Sequence, residues 1–544
     1  MHGLTEHIFQ AIFQHWLAAS LTVLFLYLIK NRYYNGLAKY PGPLVASVTD
    51  WWRFFDVYGR RPEITHRLLH KKYGDVVRLG PNSLSFADPQ ALKTIYGLNK
   101  GFIKSDFYIV QQSIAKGHRL QSLFSSTDND FHSQFRRCVS SAFAMSALVQ
   151  YEPFVDNTTK LFLQQTNDIY VNNPNGCDFP RWLQFYAFDT IGEITYSKRH
   201  GFIEKNEDIE GIVAYLSSLF LYVAPIGQIP FLDLLLLKNP IYLKLSQWGI
   251  VDSTFAVARF AGNRMAERLP ELAKGKSASE LGVKSPDLLS KFLAANEAHP
   301  EFMSQTLVQT MAVSMAFAGS ETTAISLSAV FYFLLKHPAA LECLRAEIDE
   351  AARAGVFADY ETGLVTWHES QGLPYLDACI KEAFRLHPAA GLPLERVVPE
   401  DGCEIAGHFV PGGTVVGCSA WIIHMNKNIF GEDSEAYRPE RWLPDENITK
   451  TESGKGIEDR RIKEMNGTMF QFGMGSRTCI GKNISLLEIY KLVPSMLRRF
   501  EIRLKDPSQE WKLINAWFVK QANFETVFKS RDIVKPRIPI NNQA

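Results

Sequence analysis

The segment Phe472-Gly473-Met474-Gly475-Ser476-Arg477-Thr478-Cys479-Ile480-Gly481 constrains this chain more than any other stretch of it. It sets one cysteine among glycines, just before a helical pattern that opens at about Ile480. Glycines let a backbone approach a flat ligand closely. Backbone N–H groups at a helix start favour an anion, and Arg477, two residues upstream, adds positive charge that lowers a thiol pKa and can pair with a carboxylate. These residues describe a thiolate prepared for a metal. The bland alternative is a buried structural cysteine, since a free cysteine mostly behaves as a small hydrophobe.

The other cysteines do not compete for that role. Cys138, Cys177, Cys343, Cys379, Cys403 and Cys418 are widely spaced, with no C-x-x-C pair. That excludes a disulfide framework or a zinc site and fits reduced thiols in a cytosol-facing protein. Lys plus Arg is 58 against 57 for Asp plus Glu, so there is no basic excess to draw nucleic acid. A hydrophobic fraction of 46% is too high for disorder.

Ala11 to Ile29 carries no Asp, Glu, Lys or Arg. As a helix it would be about 28 Å long, close to the hydrocarbon thickness of a bilayer. Lys30, Arg32 and Lys39 follow it, whereas Glu6 precedes it without a Lys or Arg. The positive-inside tendency then keeps the bulk of the chain in the cytosol, and residues 1–39 read as an uncleaved anchor with its flank. A cleaved signal peptide would want a basic start and small residues at a cleavage site, and neither is present.

Beyond Tyr40-Pro41-Gly42-Pro43, a stiff turn, the fold class reads as mainly α with a small β portion. Trp51 to Tyr73 has helical periodicity, and Asp75 to Phe86 reads as a hairpin turning at Gly80-Pro81-Asn82. Phe179 to Tyr196 and Thr306 to Leu335 are the clearest long helices. Leu272 to Pro286 reads as a polar linker, Ile405 to Val416 as a short hairpin containing Pro411-Gly412-Gly413, and Glu446 to Asn466 as a surface loop. Leu486 to Phe500 reads as a helix and Trp511 to Phe528 as terminal strands.

The cysteine segment resembles the haem-binding signature F-x-x-G-x-R-x-C-x-G of the cytochrome P-450 monooxygenases, through Phe472, Gly475, Arg477, Cys479 and Gly481. Three further segments resemble the same family. Glu382-Ala383-Phe384-Arg385 is similar to its E-x-x-R pair, and Tyr437-Arg438-Pro439-Glu440-Arg441-Trp442 to its P-E-R-F segment, with Trp442 in place of Phe. Ala318-Gly319-Ser320-Glu321-Thr322-Thr323 is similar to its distal-helix motif.

The resemblance implies a cytochrome P-450 fold, with residues 40–544 as one catalytic domain. It implies haem b with Cys479 as its metal ligand, and Phe472, Arg477, Arg396, His132 and Arg136 beside the cofactor. His132 stands where the family more often has Trp. Glu382, Arg385 and Arg441 would form a structural charge cluster, with more cations than anions, that must be fully hydrogen-bonded. Thr322 and Glu321 would be catalytic, supplying protons for insertion of one oxygen atom from O2 into a lipophilic small molecule. The partners implied are NADPH–cytochrome P-450 reductase and the endoplasmic reticulum membrane, and the general style is that of fungal secondary metabolism. Met315, Ala318, Pro388 to Leu394 and Trp517-Phe518 are the expected pocket lining. The competing functions are an isomerase or dehydratase of similar fold working without O2, and a haem-binding membrane protein without catalysis.

Overall fold

The computed structural model describes residues 2–273 and 287–537. Its frame is helical. The helix Phe179–Tyr196 starts where the Asp178 carboxylate accepts from the Arg181 N–H, and it is buried on every face from Trp182 onward. A helix apolar all round belongs in a core. It packs between Met145–Tyr170 and Glu321–Lys336.

The long helix expected over Thr306 to Leu335 is two helices, Gln305–Ala318 and Glu321–Lys336, parted at Gly319-Ser320. Glycine is required there by a neighbour, because a Cβ on Gly319 would lie 2.8 Å from Ile191 Cγ1. Ser320 Oγ and Thr322 Oγ1 bond back to the carbonyls of Ala316 and Ala318 at 3.1 and 2.8 Å. Such back-bonding bends helices.

The first helix runs His2–Tyr33. Among the described residues three helices are long and apolar enough to cross a membrane. The apolar windows of Ile209–Ile226 and Gln305–Lys336 are 50% and 72% buried in the fold, but that of Phe13–Lys39 is 0% buried. Only the last is left for lipid. The body grips its end through Arg78, which donates to the carbonyls of Asn31 and Arg32 at 2.8 and 2.7 Å.

The largest sheet has five strands in the order Val76–Gly80, Ser83–Phe86, Val415–Cys418, Arg396–Val397, Ile103–Lys104. Its register sets Lys104 opposite Arg396. The hairpin expected near Gly80-Pro81-Asn82 is its first pair. At the C-terminus Phe500–Leu504 pairs with Glu525–Ser530, and Lys512–Ala516 pairs with Phe518–Ala522.

Several expectations need correction. Trp51 to Tyr73 is two helices, Trp51–Tyr58 and Pro62–Tyr73, separated at Arg60, whose φ is 65°. The 405–416 hairpin turns at Ala406-Gly407, between Cys403–Ile405 and His408–Val410. Both turn residues have positive φ, which an Ala does not advertise. Pro411-Gly412-Gly413 instead leads into the main sheet. Most of the supposed loop 446–466 is the helix Glu452–Thr468, capped by Thr451. It is polar nearly all round and held by Arg461, which bonds Glu458 and the Leu443 carbonyl, so hydrophobic periodicity is silent there. Of the 272–286 linker, Leu272 and Ala273 end the helix Ala256–Ala273. The remainder lies outside the described residues.

Candidate active site

The cysteine loop is closed by the Cys479 N–H, which donates to the Phe472 carbonyl at 2.9 Å. Gly475 stands at φ 68°, and a Cβ there would fall 1.8 Å from the Tyr96 carbonyl oxygen, so only glycine fits. The helix that follows begins at Lys482, with Gly481 as its cap.

The Cys479 thiol is open to the cavity, yet desolvation by the protein around it pushes it up, while the N–H groups of Gly481 and Lys482 and the cations Arg136 and Lys482 pull it down. The positive charge therefore comes from Arg136 and Lys482 rather than from Arg477, on which the sequence argument relied. Arg477 turns away to the carbonyls of Ser126 and Asp128 and to Asn129 Oδ1.

Cys479 faces a cavity of about 290 Å³. Every other cofactor residue expected from sequence lines it too: Phe472, Arg477, Arg396, His132 and Arg136. The Phe472 ring stands edge-on to Phe384, with centroids 5.7 Å apart. Arg136 Nη1 donates to the Thr478 carbonyl at 2.8 Å, tying its helix to the cysteine loop. Arg396 Nη1 donates to the Glu395 carbonyl at 2.8 Å, and its guanidinium lies over the Tyr96 ring.

Sequence reasoning missed Lys104, which also lines the cavity. It donates to the Phe124 carbonyl and lies over the Tyr108 ring at 4.2 Å. No sequence motif marks it; only its register opposite Arg396 places it. None of Lys104, His132, Arg136, Arg396 and Arg477 forms an ion pair with a described residue. The consequence is visible in their titration. Burial, then Arg396 and Arg477, hold the Lys104 ammonium well below its usual range. Burial, then Arg477, Lys104, Arg136 and Arg396, push His132 down to about 3. Burial, with Arg396, brings Arg477 down to about 10.

This donor set fits haem. A dianionic edge would meet Lys104, Arg136, Arg396 and Arg477, none of them paired with a carboxylate, while burial pushes the cavity's own acid, Glu488, well up; a thiol stands at a helix N-terminus in the same cavity. A Cβ on Gly481 would meet nothing within 4 Å, so the space beside the thiol is open.

Thr322 lines the cavity with Met315, Ala318 and Gly319. Glu321 does not. It is 1% exposed and paired with Lys520, whose Nζ lies 3.0 Å from each carboxylate oxygen. Of the expected pocket residues, Pro388, Ala389, Ala390, Leu394, Trp517 and Phe518 line the cavity, whereas Gly391, Leu392 and Pro393 do not.

The Glu382 cluster lies apart from the cavity lining. Arg385 chelates Glu382 with two 2.8 Å bonds, and Arg441 Nε adds a third at 2.9 Å. Trp442 Nε1 donates to the same carboxylate at 2.9 Å, a bond that Phe could not make. Asp433 pairs with Arg441 at 3.1 Å. Asp433 also pairs with Arg438 at 3.0 Å, so the cluster keeps its expected excess of cations, three arginines to two carboxylates.

Comparison with known proteins agrees with this geometry. The family model for cytochrome P450 matches residues 47–525. Cytochrome P450 monooxygenase cicH of Emericella nidulans is 40% identical over 91% of this chain and 94% of its own length. A cytochrome P450 monooxygenase of Aspergillus terreus is 40% identical over 88% of this chain and 93% of its own. Cytochrome P450 monooxygenase mpaDE of Penicillium brevicompactum is 35% identical over 94% of this chain and 58% of its own. With the family model spanning most of the sequence and the first two relatives matched nearly end to end, the chain belongs to the cytochrome P450 family and is an oxidoreductase of its monooxygenase type.

Proposed function

We propose that this protein inserts one oxygen atom from O2 into a lipophilic small molecule in secondary-metabolite biosynthesis. Electrons come from NADPH through a separate NADPH–cytochrome P-450 reductase. The observation that carries the reading is the Cys479 thiol facing the same cavity as four basic side chains without carboxylate partners, Lys104, Arg136, Arg396 and Arg477, with the His132 ring beside them. Bound there, haem with a thiolate ligand supplies the activation of O2 that no side chain can supply.

The chain's own residues do the rest. Cys479 ligates, with the N–H groups of Gly481 and Lys482 supporting its charge. Lys104, His132, Arg136, Arg396 and Arg477 hold the acidic edge of the cofactor. Thr322 faces the cavity with its hydroxyl proton on the Ala318 carbonyl, so its lone pairs are free to accept from a water. Glu321 must leave Lys520 before it can pass a proton toward that water. Met315, Ala318 and the rings of Trp517 and Phe518 exclude bulk solvent.

Residues 1–39 act as a single-pass anchor in the endoplasmic reticulum membrane, and residues 40–544 as one catalytic domain on the cytosolic side. The exposed apolar helix and the basic residues that follow it support this placement.

The test is profiling of metabolites in a strain lacking the gene, then turnover of the accumulating compound with reductase and NADPH. Oxygen uptake and product formation that both require NADPH are expected. Conversion without O2 would establish the isomerase or dehydratase reading, and haem binding without conversion the non-catalytic one.

A further inference from the structure

Resting on the monooxygenase reading above, we propose that Gln111 selects the substrate, an aromatic compound whose ring carries a hydroxyl group. Part of the cavity wall is built of rings: Tyr108, Phe124, Phe317, Trp517 and Phe518 all line it. Phe124 and Trp517 stand 6.2 Å apart, as do Trp517 and Phe518. Such a wall favours a flat ring, through offset or edge-on contact.

The polar groups in the same lining are mostly committed elsewhere. Thr310 Oγ1 donates to the Thr306 carbonyl at 2.8 Å, and Ser314 Oγ to the Thr310 carbonyl at 2.7 Å. Ser122 Oγ is engaged with Ser125. Three are not: Gln471 Oε1 and both oxygens of the Glu488 carboxyl have no partner among the described residues, and the third, uncharged and free at both ends of its amide, is Gln111. It is 7% exposed, and neither its Oε1 nor its Nε2 has a hydrogen-bond partner among the described residues. Its backbone is fixed, since its N–H donates to the Tyr108 carbonyl at 3.2 Å. A further orphan lies in the ring wall, the Trp517 Nε1–H. Trp517 sits at φ 77° between paired strands, and its carbonyl accepts from Gly391 N–H at 2.8 Å. That is a conformation a bulky residue holds only when its surroundings dictate it.

Buried polar groups are almost always paired, and those left over call for an explanation. An uncharged amide offers one donor site and one acceptor site side by side. A hydroxyl, which donates and accepts, matches both; the Trp517 donor adds a place for a further ring oxygen. A site whose buried polar groups pair with a ligand hydroxyl discriminates against the analogue lacking it, because that analogue leaves them unpaired.

The experiment compares naphthalene with 2-naphthol, measured by equilibrium dialysis against the full-length, haem-loaded protein in detergent. The parent protein is expected to bind 2-naphthol about tenfold more tightly, the size of a net buried hydrogen bond. Gln111→Leu should bring the ratio to about one without weakening naphthalene. If Gln111→Leu does not retain haem, Gln111→Asn, which keeps the amide but withdraws it, should lower the ratio instead. An unchanged ratio in a haem-loaded variant, or no preference in the parent, overturns the assignment of Gln111. The carbon monoxide spectrum of the same samples keeps the two readings apart. Absence of a thiolate-type spectrum in the parent overturns the monooxygenase reading itself.

Discussion

Two groups of buried cations in this molecule have opposite completions. Around Glu382, Arg385 and Arg441 both reach a carboxylate and their remaining N–H groups meet the carbonyls of His424, Ala436 and Asp433. Along the cavity, Lys104, Arg136, Arg396 and Arg477 find ring faces, carbonyls or an amide oxygen but no described anion. The first group is finished by the chain itself. The second raises the energy of the bare protein and is relieved by an anionic ligand. Buried charge in a fold is therefore not one kind of evidence: a closed cluster speaks of stability, an open one of binding.

Removing the anion from the closed cluster should do most damage. Glu382→Ala leaves the fully buried Arg385 without its carboxylate and Arg441 with only Asp433, and a loss of about 3–5 kcal/mol is expected in urea unfolding. Trp442→Phe removes a single bond to that carboxylate, and about 2 kcal/mol should go, haem-loaded or not. Stability unchanged in both variants would mean the cluster is no keystone.

The open cluster should respond the other way. Arg396→Gln should weaken haem retention about tenfold, the effect of one charge-assisted bond. The haem-free chain should be no less stable, since a repelling charge is gone. Equal loss of stability with and without haem would make Arg396 a structural residue and erase the contrast.

Per pH unit, the smallest effect is that of acid. His424 is buried in the closed region, where Nδ1 meets the Arg385 carbonyl and Nε2 accepts from the Phe470 N–H. Burial pushes it down to about 3, so the unfolded chain takes up the proton first as pH falls. Its contribution is complete above about pH 6.5 and is lost from there toward pH 3, at about 1 kcal/mol per pH unit. His132, also pushed down to about 3, adds to this in the haem-free chain. Haem should remove part of that second loss by pairing the surrounding cations. Unfolding measured between pH 7 and pH 5, with and without haem, separates the two.

The parts of the site that lie on one stretch of chain were legible in the sequence. Cys479 and its glycines and the pairing of Glu382 with Arg385 are local, and local spacing shows them. Lys104 was not legible, because strand register alone brings it opposite Arg396. Neither was the Lys520–Glu321 pair, whose partners are 199 residues apart. Nothing in the sequence gives Trp442, in place of Phe, a role; that role is visible only with the carboxylate that its indole meets. In the fold, long apolar helices were readable, while Glu452–Thr468 was hidden by its polarity and the turn at Ala406-Gly407 by an alanine in a glycine-like conformation.

The most direct test of the account is the reduced carbon monoxide spectrum of the full-length protein and its Cys479→Ser variant. The parent should show the thiolate-type band, and the variant should lose it while keeping secondary structure and some haem. A thiolate-type band that survives unchanged in Cys479→Ser would mean that another cysteine holds the iron, and that the cavity described here is not the site of the chemistry.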